Sequence, residues 1–318
     1  MNKKTLQLLG LIFLVLALTD QAHAIIGGIA PDSPAARVDV NSKNSPFAGV
    51  GSISINGSTY SGVLIGDQYV LTAAHVVNGV DPTKIRFNLN YGGALTETFG
   101  TAEVHVNPSY SGSLASPGGI AHDDLAIIKL NGHVPGDVPV YPISWAPLAR
   151  GDAITFVGYG GGGSGDVGVT VGANPAVKRV AENRVDMLYG DANGGTMQEA
   201  YEFDFDGTHV SSNVFGPNIP RNYTLGNTIE GTLAGGDSGS PSFVQDSQGK
   251  WTLVGINTFI RTVGGGKPVF GSTGGGMLLS AYSPWVESIV SPVPEPQTGF
   301  LWLSGLSVIA FAVARRAD

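Results

Sequence analysis

The chain has 318 residues, of which 47 are Gly and 19 are Pro, while 42% are hydrophobic and only 13% are charged. This composition fits one large or two small β-rich domains. The chain contains no cysteine, which excludes disulfide bonds and thiolate metal sites. Its formal net charge of −8 argues against nucleic acid as a partner.

Residues 1–24 are predicted to be an export signal. Lys3 and Lys4 precede an apolar run from Leu6 to Leu18, and the segment ends in Ala-His-Ala, which is typical of a cleavage site. A membrane-spanning helix is disfavoured because the run is too short. The mature chain is therefore expected to begin at Ile25.

Short apolar segments separated by Gly, Asn, Asp and Pro recur between residues 25 and 290, without sustained helical periodicity. The predicted fold class is therefore all-β. Length favours two barrels, about 25–145 and about 146–290, with a seam in the Pro-rich stretch from Val138 to Ala149. The stretch from Ser283 to Val290 is predicted to form a short C-terminal helix.

Two segments offer features of ligand loops. The stretch from Gly160 to Gly172 lacks the Lys-Ser/Thr ending and the following helix of a phosphate cradle, and we interpret it as a flexible surface loop. The stretch from Asp204 to Gly207 could offer oxygen ligands to calcium. Because it lacks the further carboxylates of an EF-hand, a turn is favoured. No metal ion or other cofactor is therefore predicted.

Three polar residues attract attention when they are taken together. Separately, His75, Asp124 and Ser238 fit ordinary roles at a strand end, a turn and a glycine-rich turn. Together they supply an imidazole, a carboxylate and a hydroxyl. A serine hydroxyl is a weak nucleophile until a base takes its proton, imidazole does so near neutral pH, and a carboxylate orients the imidazole. The surrounding stretches are LTAAHVV (71–77), DDLAIIKL (123–130) and GGDSGSP (235–241).

The glycines beside Ser238 fit the same chemistry. Backbone amides can face a developing oxyanion only where side chains do not crowd the approach, and Gly236 and Gly239 leave that space. We predict that the amides of Gly236 and Ser238 form an oxyanion hole.

These stretches resemble the trypsin/chymotrypsin family of serine endopeptidases. The order His, Asp, Ser agrees with that family, and matching pieces span nearly all of residues 25–288. The resemblance implies two antiparallel chymotrypsin-like β-barrels, cleavage of protein or peptide substrates through an acyl-enzyme, and the triad His75, Asp124 and Ser238. The further matching pieces are IIGG (25–28), SGVLIGDQYVLTAAHVV (61–77), NPSY (107–110), YPISW (141–145), GDAITFVGYG (151–160), LVGINTF (253–259) and SAYSPWV (280–286).

A second aspartate and two other classes of hydrolase are the alternatives at this site. Asp123 rivals Asp124, but the family pattern places the catalytic Asp directly before Leu-Ala, so Asp123 is expected to be a solvated neighbour. An α/β-hydrolase is excluded because such enzymes need GxSxG and the order Ser, Asp, His, whereas Ser240 follows Ser238 here and His75 comes first. The chain also lacks the HExxH motif of zinc proteases.

The resemblance also implies a substrate pocket. Thr232, six residues before Ser238, takes the position at the pocket base and is neutral, so a buried Lys or Arg of the substrate would lack a counter-charge. Thr258 and Phe259 are expected to line the substrate strand, and Ile260 to narrow the pocket mouth. A small or medium apolar side chain before the cleaved bond is therefore predicted.

In this family the free amine of the mature chain pairs with the Asp before the catalytic Ser. Here that activation pair would be Ile25 and Asp237, and leaving a buried Asp237 unpaired would cost ~3 to 5 kcal/mol. Because Ala24 directly precedes Ile25, signal peptidase itself is predicted to activate the enzyme.

The C-terminal residues 291–318 are predicted to be a linker and a sorting segment. Pro294-Glu295-Pro296 precedes an uncharged apolar run, residues 298–314, and then Arg315-Arg316, which predicts a cytoplasmic end. This order resembles the PEP-CTERM segment of Gram-negative bacteria. It implies transient inner-membrane anchoring, processing by an exosortase and delivery to the cell surface or extracellular matrix. A plain single-span anchor is the alternative.

The leading hypothesis is thus an exported, surface-sorted serine endopeptidase. The alternative is a catalytically silent protease-like protein that binds partners at the cell surface. An intact triad with oxyanion glycines argues against silence, because binding alone requires none of them. A structural matrix protein with coincidental motifs does not explain their order.

Overall fold

The structure, a computed structural model, describes residues 25–39, 42–90, 97–115, 117–191, 195–216 and 223–291. In these ranges the chain forms two α-helices, α1 (Ala74–Val77) and α2 (Ser283–Val290), and several 3₁₀ turns. The strands are β1 (Ile25–Gly27), β2 (Val50–Ile55), β3 (Ser58–Leu64), β4 (Tyr69–Thr72), β5 (Ile85–Leu89), β6 (Glu97–Val106), β7 (Ala126–Leu130), β8 (Ala153–Gly158), β9 (Gly162–Ser164), β10 (Gly168–Val171), β11 (Arg179–Arg184), β12 (Met187–Gly190), β13 (Gln198–Asp204), β14 (Pro241–Gln245), β15 (Trp251–Arg261) and β16 (Thr273–Leu278). The 3₁₀ turns are Pro82–Lys84, Pro117–Gly119, Val210–Ser212, Val263–Gly265 and Leu279–Ala281.

The first half of the chain forms a closed antiparallel barrel in the order β2-β3-β4-β7-β6-β5. Residues that alternate along its strands point inward, and Ile53, Val70, Phe87 and Ile128 are completely buried in one apolar cluster. Closure removes exposed sheet edges, so this barrel is a rigid support for the loops at its rim.

The second half forms a seven-stranded antiparallel sheet in the order β11-β8-β14-β15-β16-β13-β12. Its core includes stacked Phe156 and Phe203 rings with centroids 5.3 Å apart. A further cluster contains Leu71 of the first barrel and Phe243 of the second sheet, so apolar packing holds the two halves together. The prediction of an all-β fold is confirmed; of the two predicted antiparallel β-barrels, the first is a closed barrel and the second is the seven-stranded antiparallel sheet.

The predicted C-terminal helix is α2, and its bounds agree with the sequence. Val286 is completely buried in the cluster between the two halves, so the helix closes the fold. Within the described ranges no helix is long and apolar enough to cross a membrane. The predicted export signal, residues 1–24, and the apolar run 298–314 lie outside those ranges.

The prediction of a flexible surface loop at residues 160–172 is wrong. Strands β9 and β10 form a hairpin there, β9 also pairs with β1, and Gly160 to Gly163 are buried. A Cβ on Gly163 would lie 1.9 Å from the carbonyl oxygen of Gly168. The glycines permit close backbone approach in this hairpin, and glycine content alone did not distinguish that role from flexibility.

Candidate active site

His75 lies in the short helix α1, directly after β4 of the closed barrel. Ala74, Val76 and Val77 of the same turn are buried, which fixes the helix against the barrel. The imidazole is the exposed member of this turn, with 33% of its side chain accessible. The barrel therefore presents His75 to the cleft between the two halves.

Asp124 lies two residues before β7 and is buried. Its two carboxylate oxygens both face His75: Oδ1 accepts a hydrogen bond from the backbone N–H of His75 (2.8 Å), and Oδ2 lies 2.6 Å from the ring nitrogen Nδ1. A carboxylate there favours the tautomer with a proton on Nδ1. Nε2 is then free to accept a proton.

Ser238 comes from the second half of the chain, and its Oγ lies 2.8 Å from His75 Nε2. Backbone contacts hold it in place: Ser61 N–H donates to Ser238 O (3.0 Å), and Gly239 N–H donates to Asn257 O (2.8 Å). Gly239 has a φ of +82°, and a Cβ there would lie 2.1 Å from Thr72 Oγ1. Only glycine allows this approach between the two barrels.

The amide nitrogens of Gly236 and Ser238 donate to no protein acceptor in the part of the chain that the structure describes. The orientation of the first is fixed by Gly161, whose N–H donates to Gly235 O (2.9 Å). Because the C=O and N–H of a trans peptide point in opposite directions, the Gly236 N–H points away from Gly161. Two free amides beside a serine are suited to bind a developing oxyanion.

A sequence model of the trypsin family matches residues 38–202, slightly more than half of the chain. The chain belongs to the trypsin family. The matched region contains His75 and Asp124 and ends before Ser238. In this trypsin-family protein the third triad candidate therefore depends on the local GGDSGSP motif and on the observed geometry.

A second comparison matches residues 292–316 to the PEP-CTERM protein-sorting motif. These residues lie outside the described ranges. The motif indicates export and sorting to the cell envelope of a Gram-negative bacterium, and processing by an exosortase.

Asp237, next to the candidate nucleophile, is completely buried. Its carboxylate accepts hydrogen bonds from the amides of Gly160 (2.8 Å) and Ala234 (2.9 Å). Burial raises the pKa of Asp237 to about 7, although these amides and the charge of Arg179 act in the opposite direction. The carboxylate thus links the loop that carries Ser238 to the residues that lead into the hairpin of β9 and β10.

Ile25 is buried in β1 and pairs in parallel with Gly162 of β9. Gly160 lies two residues before Gly162 in the chain, and its amide donates to Asp237. Since two residues of a strand span about 6.6 Å, the N-terminal end of β1 lies on the side from which Gly160 contacts the Asp237 carboxylate. Within the described residues, however, the protein donors to this carboxylate are the amides of Gly160 and Ala234.

A cavity of about 230 Å³ lies beside Ser238. Thr258, Phe259 and Ile260 line it, as the predicted pocket residues would. Thr232 is not one of its lining residues; it is completely buried and exchanges two backbone hydrogen bonds with Ile26 (3.0 and 3.1 Å). Sequence reasoning missed other lining residues, whose local patterns carry no pocket signal: Leu233, Ala234 and Asn257.

The expectation that Asp123 is solvated is wrong. It is 8% exposed, its φ is +61°, and its backbone N–H donates to the Tyr282 hydroxyl (3.3 Å). Burial, followed by the charge of nearby Glu199, raises the pKa of Asp123. The Asp123 carboxylate makes no hydrogen bond to His75 among the described contacts, so of the two carboxylates it is Asp124 that contacts the imidazole.

The stretch from Asp204 to Gly207 contributes to a cluster of buried acids: Asp186, Asp204, Asp206 and Glu230. These carboxylates accept backbone hydrogen bonds, for example Glu230 Oε2 from Asp206 N–H (3.0 Å) and Asp186 Oδ2 from Asp204 N–H (3.0 Å). No group of three or more His, Cys, Asp or Glu residues in the described ranges has the geometry of a metal site.

The acid cluster predicts that alkaline pH destabilises the protein. Burial, followed by the charge of Asp204, raises the pKa of Asp186 to about 9, and burial raises the pKa of Asp206 to about 7. Between pH 4 and 9 the folded state thus binds more protons than the unfolded state, so the free energy of unfolding falls as pH rises. Asp186→Asn, which mimics the protonated acid, should flatten the Tm profile between pH 5 and 9, measured by calorimetry.

Asp246→Asn provides the control for this variant. Asp246 lies in an exposed turn, where the amides of Lys250 and Gln248 lower its pKa, so its loss should not flatten the alkaline limb. Equal Tm profiles for Asp186→Asn and the parent protein would contradict the assignment to the cluster.

Proposed function

We propose that this trypsin-family protein is an active serine endopeptidase that cleaves protein or peptide substrates through an acyl-enzyme. The observation that carries the proposal is the continuous chain of hydrogen bonds from Asp124 through His75 to Ser238, with separations of 2.6 and 2.8 Å. A protein that only binds partners would not require this alignment.

The reaction follows from these groups. Ser238 Oγ attacks the carbonyl carbon as its proton moves to His75 Nε2, and the amides of Gly236 and Ser238 bind the negatively charged oxygen. The C–N bond breaks when His75 gives this proton to the leaving amine. Water then attacks the acyl-enzyme with His75 again as the base, which releases the acid and restores the serine.

A fluorophosphonate probe tests the activity directly. It reacts with an activated serine, and we expect mass spectrometry to find the adduct on Ser238 in folded protein and no adduct after denaturation. Folded protein that neither reacts with the probe nor hydrolyses peptide esters would favour the alternative of a silent surface-binding protein.

We further propose a preference for small or medium apolar side chains before the cleaved bond. The cavity beside Ser238 is small and lined largely by Leu233, Ala234, Phe259 and Ile260. Among its described lining residues the one carboxylate is Asp237, which is completely buried and bound by two amides. A substrate cation would therefore enter the cavity without a free partner, which is costly.

A peptide library should therefore show Ala, Val or Leu before the cut at least roughly 10-fold ahead of Lys or Arg in kcat/KM. Ile260→Gly should widen the mouth and increase cleavage after Phe and Tyr. A parent profile dominated by Lys or Arg would refute this specificity.

We also propose that signal peptidase activates the enzyme by freeing the amine of Ile25, which then pairs with Asp237. Support comes from β1, whose N-terminal end lies on the side from which Gly160 contacts Asp237, and from the neighbouring β9 hairpin. That hairpin provides the amides of Gly160 and Gly161 that hold Asp237 and Gly235. A buried ammonium would favour the ionised form of Asp237 and stabilise the loop that carries the amides of Gly236 and Ser238.

The form that begins at Ile25 should be far more active than one that retains Ala24. Without the amine, Asp237 lacks its ion pair and the amides of Gly236 and Ser238 are no longer held in place. We therefore expect kcat to fall by roughly 10²–10³-fold, the effect of losing an oxyanion donor. Peptide ester hydrolysis by both forms, each released from a fusion protein, measures this. Equal kcat values would exclude activation by the amine.

Processing at the other end is proposed to follow the sorting motif. The run 298–314 would hold the exported protein transiently in the inner membrane until an exosortase cleaves it and the protein reaches the cell surface or matrix. N-terminal sequencing and intact mass of the secreted form test both processing events. An N-terminus other than Ile25 would contradict cleavage by signal peptidase before that residue. A mass that includes the chain as far as residue 318 would contradict cleavage by an exosortase.

A further inference from the structure

One arginine joins the two halves of the molecule at the edge of the candidate cleft. Arg261, the last residue of β15, donates from Nη1 to both carboxylate oxygens of Glu202 (3.0 Å each). Its Nη2 donates to the carbonyl oxygen of Gly118. Gly118 lies in the connection from β6 to β7, which leads to Asp124, so this contact crosses from the second half to the first.

Glu202 makes this arginine a rigid link. Its side chain is completely buried in β13 and also accepts hydrogen bonds from the Tyr189 hydroxyl (2.6 Å) and from the Thr273 hydroxyl. Arg261 Nη1 lies 3.0 Å from both oxygens of this buried carboxylate, and charge-assisted hydrogen bonds of this kind hold the Nη1 end of the guanidinium in place. The Arg261 guanidinium also lies over the Phe259 ring, 5.3 Å from its centroid.

Gly118 is shaped to receive this contact. Its φ is +75°, and a Cβ there would lie 2.6 Å from the Tyr189 ring, so the connection packs closely under that ring. Arg261 and Tyr189 both bind Glu202, and both contact the same residue of the connection. The buried carboxylate thus organises one side of the cleft.

A cavity of about 400 Å³ lies between the connection and β15. His75, Asp124 and Arg261 are among its lining residues. The wall from the connection comprises Leu114, Gly119, Ile120 and Ala121, and the opposite wall comprises Thr258, Phe259, Ile260 and Arg261. The contact from Arg261 to Gly118 therefore sets the separation of the two walls.

We propose that Arg261 is a positioning residue that fixes the Gly118 connection as a wall of the cleft and thereby governs affinity for extended peptides. This inference rests on the proposed peptidase activity. Arg261 makes no hydrogen bond to His75, Asp124 or Ser238 among the described contacts. Its loss should therefore affect binding of the substrate residues that lie along this wall much more than the chemical step.

The test compares two substrates of the processed enzyme, an acylated single-residue anilide and an acylated tetrapeptide anilide with the same residue before the cut. Arg261→Gln should raise KM for the tetrapeptide about 10-fold with little change in kcat, while the single-residue substrate changes far less. Amide hydrogen exchange of residues 118–121 should become faster. An equal change for both substrates, or unchanged exchange and KM, would overturn the proposal.

Two controls separate positioning from lost stability. The double variant Glu202→Gln/Arg261→Gln removes the unpaired buried charge but does not restore the contact to Gly118, so the tetrapeptide KM defect should persist. Recovery of KM in the double variant would show that the buried charge, not the link, caused the defect. Arg86→Gln, on the exposed side of β5, controls for loss of one positive charge and should leave both KM values unchanged. Failure of the parent enzyme to react with either substrate or the fluorophosphonate probe would instead refute the proposed function.

Discussion

Ser238→Ala is expected to lower kcat roughly 10⁶-fold, the size known for loss of the nucleophile in another serine protease. The Oγ of Ser238 is 2.8 Å from His75 Nε2, and no other hydroxyl in the described ranges bonds to this nitrogen. Without this hydroxyl, His75 has no serine oxygen to deprotonate. Residual catalysis then comes from the oxyanion hole and from substrate binding alone. Peptide ester hydrolysis by purified protein, with burst kinetics for the parent enzyme, measures the loss.

Ser247→Ala is the matched control for this variant. Ser247 is exposed in the turn between β14 and β15 and makes no described hydrogen bond to His75, so its replacement should leave kcat and fluorophosphonate labelling unchanged. KM for Ser238→Ala should change little, because the substrate pocket is retained. A kcat for Ser238→Ala within 10-fold of the parent value would exclude Ser238 as the nucleophile.

The triad candidates were accessible from sequence because each lies in a short local pattern. His75 follows a buried strand, Asp124 precedes one, and Ser238 lies between glycines, so each side chain has a local reason for its position. The order His, Asp, Ser then linked the three. The structure adds a second reason for glycine at position 239, which the sequence did not indicate: a Cβ there would clash with Thr72 of the first barrel.

Features that depend on packing between distant segments could not be predicted from local sequence patterns. The family pattern assigned the catalytic role to Asp124 and left Asp123 as a solvated neighbour, but Asp123 is buried and its amide bonds to Tyr282, 159 residues away. Arg261 gave no signal, since its partners Glu202 and Gly118 lie 59 and 143 residues away. The glycine-rich stretch failed for a related reason, because its partner strand β1 is more than a hundred residues distant. A local pattern does not encode such contacts.

Asp124→Asn is expected to lower kcat about 10⁴-fold, the size known for this replacement in the best-studied triad of the family. The geometry explains why. One oxygen of Asp124 faces the His75 backbone N–H, which can only donate, so the oxygen of the Asn carboxamide must stay there. Its NH₂ group then faces Nδ1, which has to become an acceptor with the ring proton on Nε2. In that tautomer His75 cannot take the proton of Ser238, and kcat should report this loss without a matching rise in KM.

The same replacement one residue earlier is the sharpest control. Asp123→Asn also removes one buried carboxylate, yet Asp123 faces Tyr282 and Glu199 and leaves the tautomer of His75 unaltered. Its kcat should therefore stay within about 10-fold of the parent value, as for a nearby residue outside the hydrogen-bonded chain. If Asp123→Asn lost as much activity as Asp124→Asn, the loss would reflect disruption of the shared backbone segment. If the two variants exchanged their effects, Asp123 would be the orienting carboxylate and the hydrogen bonds at Asp124 would have only a structural role.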